Sequence, residues 1–526
     1  MKNPCLLVDA YKLAHYFMQP KGTTMVYSTW TARSNRYMPD SEETVVFGQQ
    51  YFIKKYLVDF FNEHFFNANI HEIANDFKRK VATHFNSTYI DFTRFRNLHK
   101  LGYLPIKIMG LPEGTLCPIR TPDHVMWNTH PDYAWLPQYL EDIWSCHNWQ
   151  PSTAATIAYD RRCILKHYYN LTSDTPSLLK GACSDFSFRG MTSEDSAYIS
   201  TSGHLTSFNK TATIDANGMI EDYYMANLAS EVIGLGTPSL EHSVISQAIA
   251  KYMDELKEDG HIHVGSNDSH IITNDTLNDT RLTAEWAYML HLLTSIQPTG
   301  PLSYVSDTYD YWGVVTRVLP LLREIIVNRD GVLIVRPDSG DPVDIICGNK
   351  KAKRSSPQGK GTIQCLWEEF GGIINSKGYK VLNNHIRVIY GDAIDRDRTI
   401  AIAQGLEANG FSIENITLGI GSYSYQYITR DTRGYAIKAT NCIINGKEYP
   451  LYKDPLTDDG VKKSARGCVV VYNLPSIGVF GFKDGFSLAE SLEDTKNSMV
   501  VKFEDGKQYN LQTFTQIRNG LHKDGF

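Results

Sequence analysis

Five short apolar runs in this sequence each lead into charged or polar residues. The runs Ile233–Pro238, Ser303–Ser306, Val332–Val335, Arg387–Tyr390 and Ile416–Gly419 lead, in that order, into Glu241-His242-Ser243, Asp307, Arg336-Pro337-Asp338-Ser339-Gly340, Gly391-Asp392 and Gly421-Ser422. In a parallel barrel or wound sheet, the carboxyl ends of the strands converge on one face, where ligands bind. We therefore expect these polar segments to form one site.

Each segment alone has an ordinary structural explanation. An Asp after a strand usually caps a helix, and an Arg there usually pairs with a neighbouring carboxylate. Capping does not require Arg-Pro-Asp-Ser-Gly or Gly-Asp-x-x-Asp, however, and five such segments in series favour function over structure.

The residue types indicate the ligand. Arginine and glycine-rich turns at helix starts suit phosphate, and carboxylates beside them suit ribose hydroxyls or Mg²⁺. The P-loop, the third glycine of the dinucleotide motif and the G-x-S-x-G elbow are absent. The sequence therefore predicts an enzyme that handles a phosphorylated ribose, with a histidine and without a nucleophilic serine or cysteine.

The elements that must position these residues form two patterns. From about residue 180 to 425, apolar runs alternate with helical patterns, which is typical of βα units and a parallel sheet. Strand-like and helical runs mix before this region, with a helix predicted over Thr153–Asn170, and strands return after 430. The predicted fold is α/β: an irregular parallel α/β barrel domain at 176–429, plus an α+β domain built from the N-terminal part, 1–175, and the C-terminal part, 430–526.

Composition excludes several classes of protein. The net charge of −6 argues against a nucleic-acid platform, and no apolar run is long enough for a membrane span. The N-terminus has no secretory h-region, and the nine cysteines include no Cys-x-x-Cys pair. We expect a cytoplasmic protein with reduced thiols and with neither nucleic-acid nor membrane partners. The polar stretches 258–282 and 348–362 are expected to be surface loops and not nucleic-acid patches, and for 258–282 a lid and an inert loop stay open as alternatives.

The motifs, taken in order, resemble the nicotinamide phosphoribosyltransferase family of type II phosphoribosyltransferases. Besides the strand-end segments, the resemblance rests on Asp9-Ala10-Tyr11-Lys12-x-x-His15, Asp185-Phe186-x-x-Arg189-Gly190, Thr429-Arg430-Asp431 and Lys453-Asp454-Pro455. It implies transfer of phosphoribosyl from 5-phosphoribosyl-1-pyrophosphate (PRPP) to nicotinamide, which yields nicotinamide mononucleotide and pyrophosphate in NAD salvage. It also implies Mg²⁺, a homodimer with shared active sites, and stimulation by ATP through phosphorylation of His242.

The resemblance also implies roles for individual residues. His242, Asp307 and Asp338 would be catalytic, and the two aspartates would hold Mg²⁺ directly or through water. Tyr11 of one subunit and Phe186 of the other would sandwich the pyridine ring, and the other substrate-binding residues would be Asp9, Arg189, Ala212 and Arg336. The residues that would bind phosphate and ribose are Arg33, Arg387, Gly391, Asp392, Gly421, Ser422, Arg430, Lys438, Lys453 and Lys462.

Three positions depart from the family pattern. Ala212 stands where the family has an Asp that accepts from the amide of nicotinamide, Ser422 replaces the second glycine of a phosphate turn, and Ala436 replaces a serine. Two alternatives therefore stay open: a nicotinate phosphoribosyltransferase, and a nucleotide-binding protein that has lost catalysis. Product formation from the two pyridines distinguishes them.

Overall fold

A computed structural model describes residues 2–87, 90–265, 269–391, 393–457, 463–474 and 479–526. The strands are β1 (Thr23–Thr31), β2 (Glu43–Val45), β3 (Ile106–Gly110), β4 (Leu116–Pro118), β5 (Pro122–Asn128), β6 (Cys183–Asp185), β7 (Lys210–Thr211), β8 (Ile262–Val264), β9 (His270–Ile272), β10 (Leu302–Val305), β11 (Leu333–Arg336), β12 (Gly372–Ile374), β13 (Lys380–Leu382), β14 (Ile386–Tyr390), β15 (Ile416–Ile420), β16 (Ala436–Ile444), β17 (Lys447–Pro450), β18 (Cys468–Leu474), β19 (Val479–Phe486), β20 (Val500–Glu504) and β21 (Lys507–Gln508).

The α-helices alternate with these strands through most of the chain. They are α1 (Lys12–Met18), α2 (Gln49–Phe52), α3 (Ile70–Phe85), α4 (Thr93–Leu101), α5 (Leu136–Tyr139), α6 (Glu141–Thr172), α7 (Glu194–Leu205), α8 (Asp215–Tyr224), α9 (His242–Glu258), α10 (Thr280–His291), α11 (Tyr311–Gly313), α12 (Leu319–Leu321), α13 (Arg323–Asn328), α14 (Pro342–Cys347), α15 (Pro357–Lys360), α16 (Thr362–Phe370), α17 (Arg396–Ala408), α18 (Ser422–Tyr425), α19 (Leu488–Glu493) and α20 (Phe514–Leu521). No helix of the described ranges is long and apolar enough to cross a membrane.

Six parallel strands form the wall of a barrel in the order β10-β11-β14-β15-β6-β7. The segment 235–239 joins the two edges of this sheet, because Leu235 bridges to Lys210 of β7 and Ser239 bridges to Ser303 of β10. The apolar runs are buried as parallel strands require; every residue of β10, for example, is buried. The predicted irregular parallel barrel is confirmed.

Strands from both ends of the chain share the second sheet. This seven-stranded antiparallel sheet has the order β17-β16-β1-β5-β3-β20-β21. The predicted fold class, a barrel with an α+β domain built from both ends of the chain, is therefore confirmed. The residue boundaries proposed for the two domains stay a prediction.

Helix α6 starts earlier than its sequence predicts and connects the two cores. It begins at Glu141 instead of Thr153 and contains Pro151. The Ser-Thr pair that resembles an N-cap is buried within the helix: Ser152 Oγ donates to the Val45 carbonyl at 2.6 Å, and Thr153 Oγ1 donates to the Trp149 carbonyl at 2.7 Å. Hydroxyls that bond inside a helix or to a neighbouring strand carry the same sequence signal as a cap.

The two polar stretches have more structure than loops. Residues 258–282 contain the hairpin β8–β9, whose inward residues Ile262, Val264 and Ile272 join the barrel-side core. Residues 348–362 contain the short helix α15. The expectation of a plain surface loop is wrong for the hairpin, because alternate apolar residues anchor it.

Candidate active site

His242 is the first residue of α9 and faces the ends of β10 and β11. Its Nδ1 lies 3.0 Å from Thr308 Oγ1, which orients the ring. Its Nε2 lies 3.9 Å from both Asp307 Oδ1 and Asp338 Oδ2. The half-exposed imidazole therefore has one nitrogen held by a hydroxyl and the other directed at two carboxylates.

Asp307 is the more deeply buried of the two carboxylates. The Asp307 side chain is only 6% exposed. Its Oδ2 accepts from the Asp338 backbone N–H at 3.1 Å and from Ser339 Oγ at 2.5 Å. Its Oδ1 is buried and has no hydrogen-bond donor within the described part of the chain. A buried carboxylate oxygen without a donor is costly unless a cation pairs with it, so Asp307 is suited to hold one.

Arg336 is the last residue of β11, and a hydrogen bond and an ion pair hold its side chain in place. Its guanidinium donates to Ser239 Oγ at 2.9 Å and lies 3.7 Å from Asp338 Oδ2. Ser239 belongs to the segment that closes the barrel. This segment therefore holds the Arg336 guanidinium at the barrel mouth, where it can donate hydrogen bonds to a carbonyl oxygen of a ligand.

A cavity of about 940 Å³ passes through the barrel. At the strand ends it is lined by Phe186, Arg189, Ala212 and Arg336, and at the strand starts by Tyr169 and Asn415. Two glycines make room at the mouth. A Cβ on Gly419 would lie 2.8 Å from the Phe186 ring, and one on Gly391 would lie 2.7 Å from Asp338 Oδ1. The Phe186 ring therefore lies across the mouth as a stacking surface.

Buried Asp185 positions several residues of the barrel mouth by accepting hydrogen bonds from them. Its buried Oδ2 accepts from Thr201 at 2.8 Å and from both Thr211 and Thr213 at 3.2 Å. Its Oδ1 accepts from the Ser187 N–H at 3.1 Å, and its carbonyl accepts from the Ala212 N–H at 2.9 Å. One carboxylate thus sets the positions of Phe186 and Ala212 relative to each other.

The predicted phosphate turn adjoins the motif that carries Arg189. Gly421 and Ser422 directly follow β15, and a Cβ on Gly190 would collide with Ser422 Oγ. The mouth therefore has backbone N–H groups and a hydroxyl on one side and Arg189 on the other. Asp392, which follows Gly391, lies outside the described residues.

A second group of predicted residues gathers on the α+β domain. Burial lowers the pKa of Lys438 on β16, and the nearby cations Arg33, Lys453 and Arg430 lower it further, whereas Glu141 opposes them. Arg33 Nε donates to the Gly434 carbonyl at 2.7 Å. These four cations, Arg33, Arg430, Lys438 and Lys453, are called the basic cluster below. Lys462 lies outside the described residues.

The two N-terminal substrate residues also lie on this domain. The Asp9 N–H donates to Asp142 of α6 at 2.7 Å, and the Tyr11 side chain is 58% exposed. Neither residue lines the barrel cavity as the described residues form it. The predicted site is therefore divided between two surfaces of one chain, the barrel mouth and the α+β face.

The comparisons with known proteins agree with the motifs. Residues 182–506 match the Nicotinate phosphoribosyltransferase (NAPRTase) family, and residues 3–108 match the Nicotinamide phosphoribosyltransferase, N-terminal domain. The chain is 37% identical to the nicotinamide phosphoribosyltransferase of Acinetobacter baylyi, across 99% of this chain and 97% of that protein. It is 29% identical to that of Xanthomonas campestris pv. campestris, across 98% of each.

The chain belongs to the nicotinamide phosphoribosyltransferase family. Two solved structures share its fold. Human nicotinic acid phosphoribosyltransferase has a TM-score of 0.54 at 15% identity, with 98% of this chain and 93% of that chain covered. Nicotinate-nucleotide pyrophosphorylase from Pyrococcus furiosus has a TM-score of 0.52 at 13% identity, with 98% and 94% covered.

Arg387 is placed away from the rest of the set. It lies at the start of β14, four residues and about 13 Å before Gly391. Its guanidinium donates to the carbonyls of Leu382, Asn383 and Ile386, at 3.1, 2.6 and 2.8 Å. Arg387 lines the same cavity at the start of the strand, where these bonds also hold its guanidinium, and its role in binding phosphate stays a prediction.

Sequence reasoning missed several residues that line or support the cavity. Thr308, Ser239 and Ser339 orient His242, Arg336 and Asp307, respectively. Lys210 lines the cavity two residues before Ala212; burial lowers its pKa, and its Nζ lies 3.4 Å from Thr417 Oγ1. The one available signal was the period of two, which puts Lys210 of β7 and Ala212, the residue directly after β7, on the same face.

Proposed function

We propose that this protein is a nicotinamide phosphoribosyltransferase, which transfers the 5-phosphoribosyl group of PRPP to nicotinamide in NAD salvage. The observation that carries the proposal is the group His242, Asp307, Arg336 and Asp338 at one strand-end face. Identity of 37% across nearly the whole length of a relative with this name supports it.

The barrel mouth has the groups that the transfer needs. The pyridine ring stacks on Phe186, and Arg336 donates to the carboxamide oxygen. The ring nitrogen attacks C1 of the ribose with its own lone pair, the bond from C1 to pyrophosphate breaks, and no proton has to be removed. Positive charge develops on the ribose as pyrophosphate leaves, and the carboxylates of Asp307 and Asp338 stabilise it.

Asp307 and Asp338 also suit Mg²⁺. They offer oxygen donors only, and Asp307 Oδ1 is the buried oxygen without a hydrogen-bond donor among the described residues. When bound, Mg²⁺ would neutralise the charge of the pyrophosphate group. Ser339 and the Asp338 backbone hold Asp307 in place for this task.

The phosphate groups require residues from both surfaces. Gly391, Gly421, Ser422 and Arg189 are proposed to bind the 5-phosphate and part of the pyrophosphate at the barrel mouth. The basic cluster and Tyr11 lie on the α+β face, so a homodimer that apposes this face to the mouth of its partner supplies the remaining cations and the second stacking ring.

His242 is proposed to couple the reaction to ATP. Its Nε2 is the ring nitrogen that Thr308 does not hold, and it would take the terminal phosphoryl group as the bond to ADP breaks. The nine free cysteines are consistent with the proposed cytoplasmic setting, because reducing compartments keep thiols unpaired.

The test is product formation by the purified protein with PRPP and Mg²⁺, and with nicotinamide or nicotinate. We expect nicotinamide mononucleotide and pyrophosphate in equal amounts. Asp338→Asn should lower kcat by about 100-fold or more. Asp341→Asn, in the same loop, keeps its helix cap and serves as the control.

Two results would overturn the proposal. A strong preference for nicotinate would make the protein a nicotinate phosphoribosyltransferase. Binding of a pyridine without mononucleotide formation from either pyridine would make it a protein that has lost catalysis. For ATP coupling, His242→Ala should abolish the stimulation and leave basal transfer; an unchanged effect of ATP on the nicotinamide KM would refute the phosphohistidine.

A further inference from the structure

Two histidines lie side by side on the outer face of the β8–β9 hairpin. Ile262 and Val264 point inward and are buried, and His263 lies between them on the exposed side. His261 directly precedes the strand and, by the same alternation, shares the outer face with His263. The core contacts of Ile262 and Val264 therefore fix the backbone that carries both imidazoles.

The two imidazoles approach each other with their Nε2 atoms. Their Nε2 atoms lie 2.9 Å apart, and the rings meet at 77° with centroids separated by 4.7 Å. His261 Nδ1 lies 2.8 Å from the Asp259 carbonyl, which can only accept, so Nδ1 carries the proton and Nε2 carries the lone pair. A backbone carbonyl that accepts from the other ring nitrogen is a usual partner of a metal-binding histidine.

We propose that His261 and His263 form a two-histidine site for Cu²⁺ or Ni²⁺. With metal–nitrogen bonds of about 2.0–2.1 Å, nitrogens 2.9 Å apart subtend an angle of about 90° at the ion. A right angle suits adjacent positions of the tetragonal geometry that Cu²⁺ and Ni²⁺ adopt, whereas tetrahedral Zn²⁺ requires a wider angle.

Water completes the coordination of this site. Within the described residues, no third histidine, cysteine or carboxylate joins the pair in a metal-binding group. The exposed face of His263 leaves the other positions open to solvent. The alternative is a hydrogen bond between the two rings, with His263 Nε2 as the donor, and metal titration separates the two cases.

The test is a titration of the full-length protein with Ni²⁺, followed by calorimetry. We expect one site that His261→Ala or His263→Ala weakens by at least about tenfold. His270→Ala is the matched control, because His270 is an exposed histidine on the other strand of the same hairpin. Affinity should follow the order Cu²⁺ above Ni²⁺, and the Cu²⁺ paramagnetic resonance spectrum should show two nitrogen ligands.

Several outcomes would overturn the proposal. These are equal Ni²⁺ binding by the wild type and by a variant that combines His261→Ala with His263→Ala, an equal loss in His270→Ala, and Zn²⁺ binding tighter than Cu²⁺ at the same two residues. Circular dichroism shows whether each variant is folded. If an alanine variant unfolds, His263→Gln keeps the size of the side chain and removes the ligand nitrogen, and the same tenfold loss is expected.

Discussion

At the scale of single residues, Ala212 presents a methyl group to the barrel mouth, where an amide substrate needs a hydrogen-bond acceptor. We predict that Ala212→Asp raises the ratio of kcat/KM for nicotinamide over nicotinate by about tenfold or more, because a charged hydrogen bond contributes about 1.5–3 kcal/mol. Steady-state kinetics with both pyridines measure the ratio.

Ala212→Asn is the matched control for this prediction. It supplies an acceptor without a charge that repels nicotinate, so it should raise nicotinamide use with little loss of nicotinate use. An unchanged ratio in both variants would show that the pyridine amide does not face residue 212.

Gly419 is a second residue whose size decides the site. We predict that Gly419→Ala raises the KM for nicotinamide by about tenfold and lowers the free energy of unfolding by about 1–3 kcal/mol, because its Cβ would lie 2.7 Å from the Gly391 Cα and 2.8 Å from the Phe186 ring. Gly520→Ala, in α20, has no atom within 4 Å of the new Cβ, so it should leave the KM unchanged and should not lower the free energy of unfolding. Equal effects of the two substitutions would contradict the stacking role of Phe186.

At the scale of elements, the contact of α10 with β10 contains a buried acid. Glu285 accepts from Tyr304 Oη at 3.0 Å. Burial raises the pKa of Glu285 to about 7, and the carboxylates of Asp310 and Asp307 add to the rise, whereas the bond from Tyr304 opposes it. The folded protein therefore retains a proton on Glu285 at pH values where the unfolded chain has lost it.

This proton makes stability depend on pH. A glutamate in the unfolded chain titrates near pH 4.3, so this contribution is full below that value and is lost as pH rises to about 7. We predict that the free energy of unfolding falls by about 2 kcal/mol less in Glu285→Gln than in the wild type between pH 5 and 7. Urea denaturation at several pH values measures the difference, with the exposed Glu258→Gln as control; parallel curves for wild type and Glu285→Gln would contradict the assignment.

Patterns along the sequence were sufficient to predict the residues that general strand geometry brings together. The strand-end rule anticipated that Asp307, Arg336 and Asp338 meet, because the geometry of parallel strands is general. The strand-end rule makes no statement about Arg387, which lies at the start of its strand; the resemblance implied its phosphate role, and that role stays a prediction. The strand-end rule could not reveal the role of Asp185, because the threonines that donate to it lie in two separate segments, α7 and residues 211–213, and no local pattern connects these segments.

Alternation was also present in the 258–282 stretch but was obscured by polar residues. Only Ile262, Val264 and Ile272 are inward, and three apolar residues in a polar stretch of that length resemble a loop. Likewise, the start of α6 was hidden by Pro151, which normally marks the beginning or end of a helix. In both cases tertiary packing decided what local preference left ambiguous.

At the scale of the whole molecule, the division of the site between two surfaces predicts complementation between subunits. Asp338→Asn impairs the barrel mouth, and Lys438→Met impairs the basic cluster. If the proposed dimer shares its sites, equal mixing and reassociation should restore about 25% of wild-type activity, because half of the dimers are mixed and each has one intact site of two.

Mixing Asp338→Asn with Asp307→Asn is the matched control, because both substitutions alter the same surface. It should restore no activity. Equal recovery in the two mixtures, or recovery in neither, would mean that each chain completes its own site.

Helix α6 has a consequence for how the protein melts. Its neighbouring residues Ala154 and Ala155 are buried in different cores, the first on the barrel side and the second on the α+β side. Neither core can lose its order while this helix stays packed in the other. We therefore expect a single calorimetric peak with equal calorimetric and van't Hoff enthalpies, and two resolved peaks would show that the halves melt independently. Because α6 contributes side chains to both cores, a substitution in its buried middle should lower the stability of the two halves together.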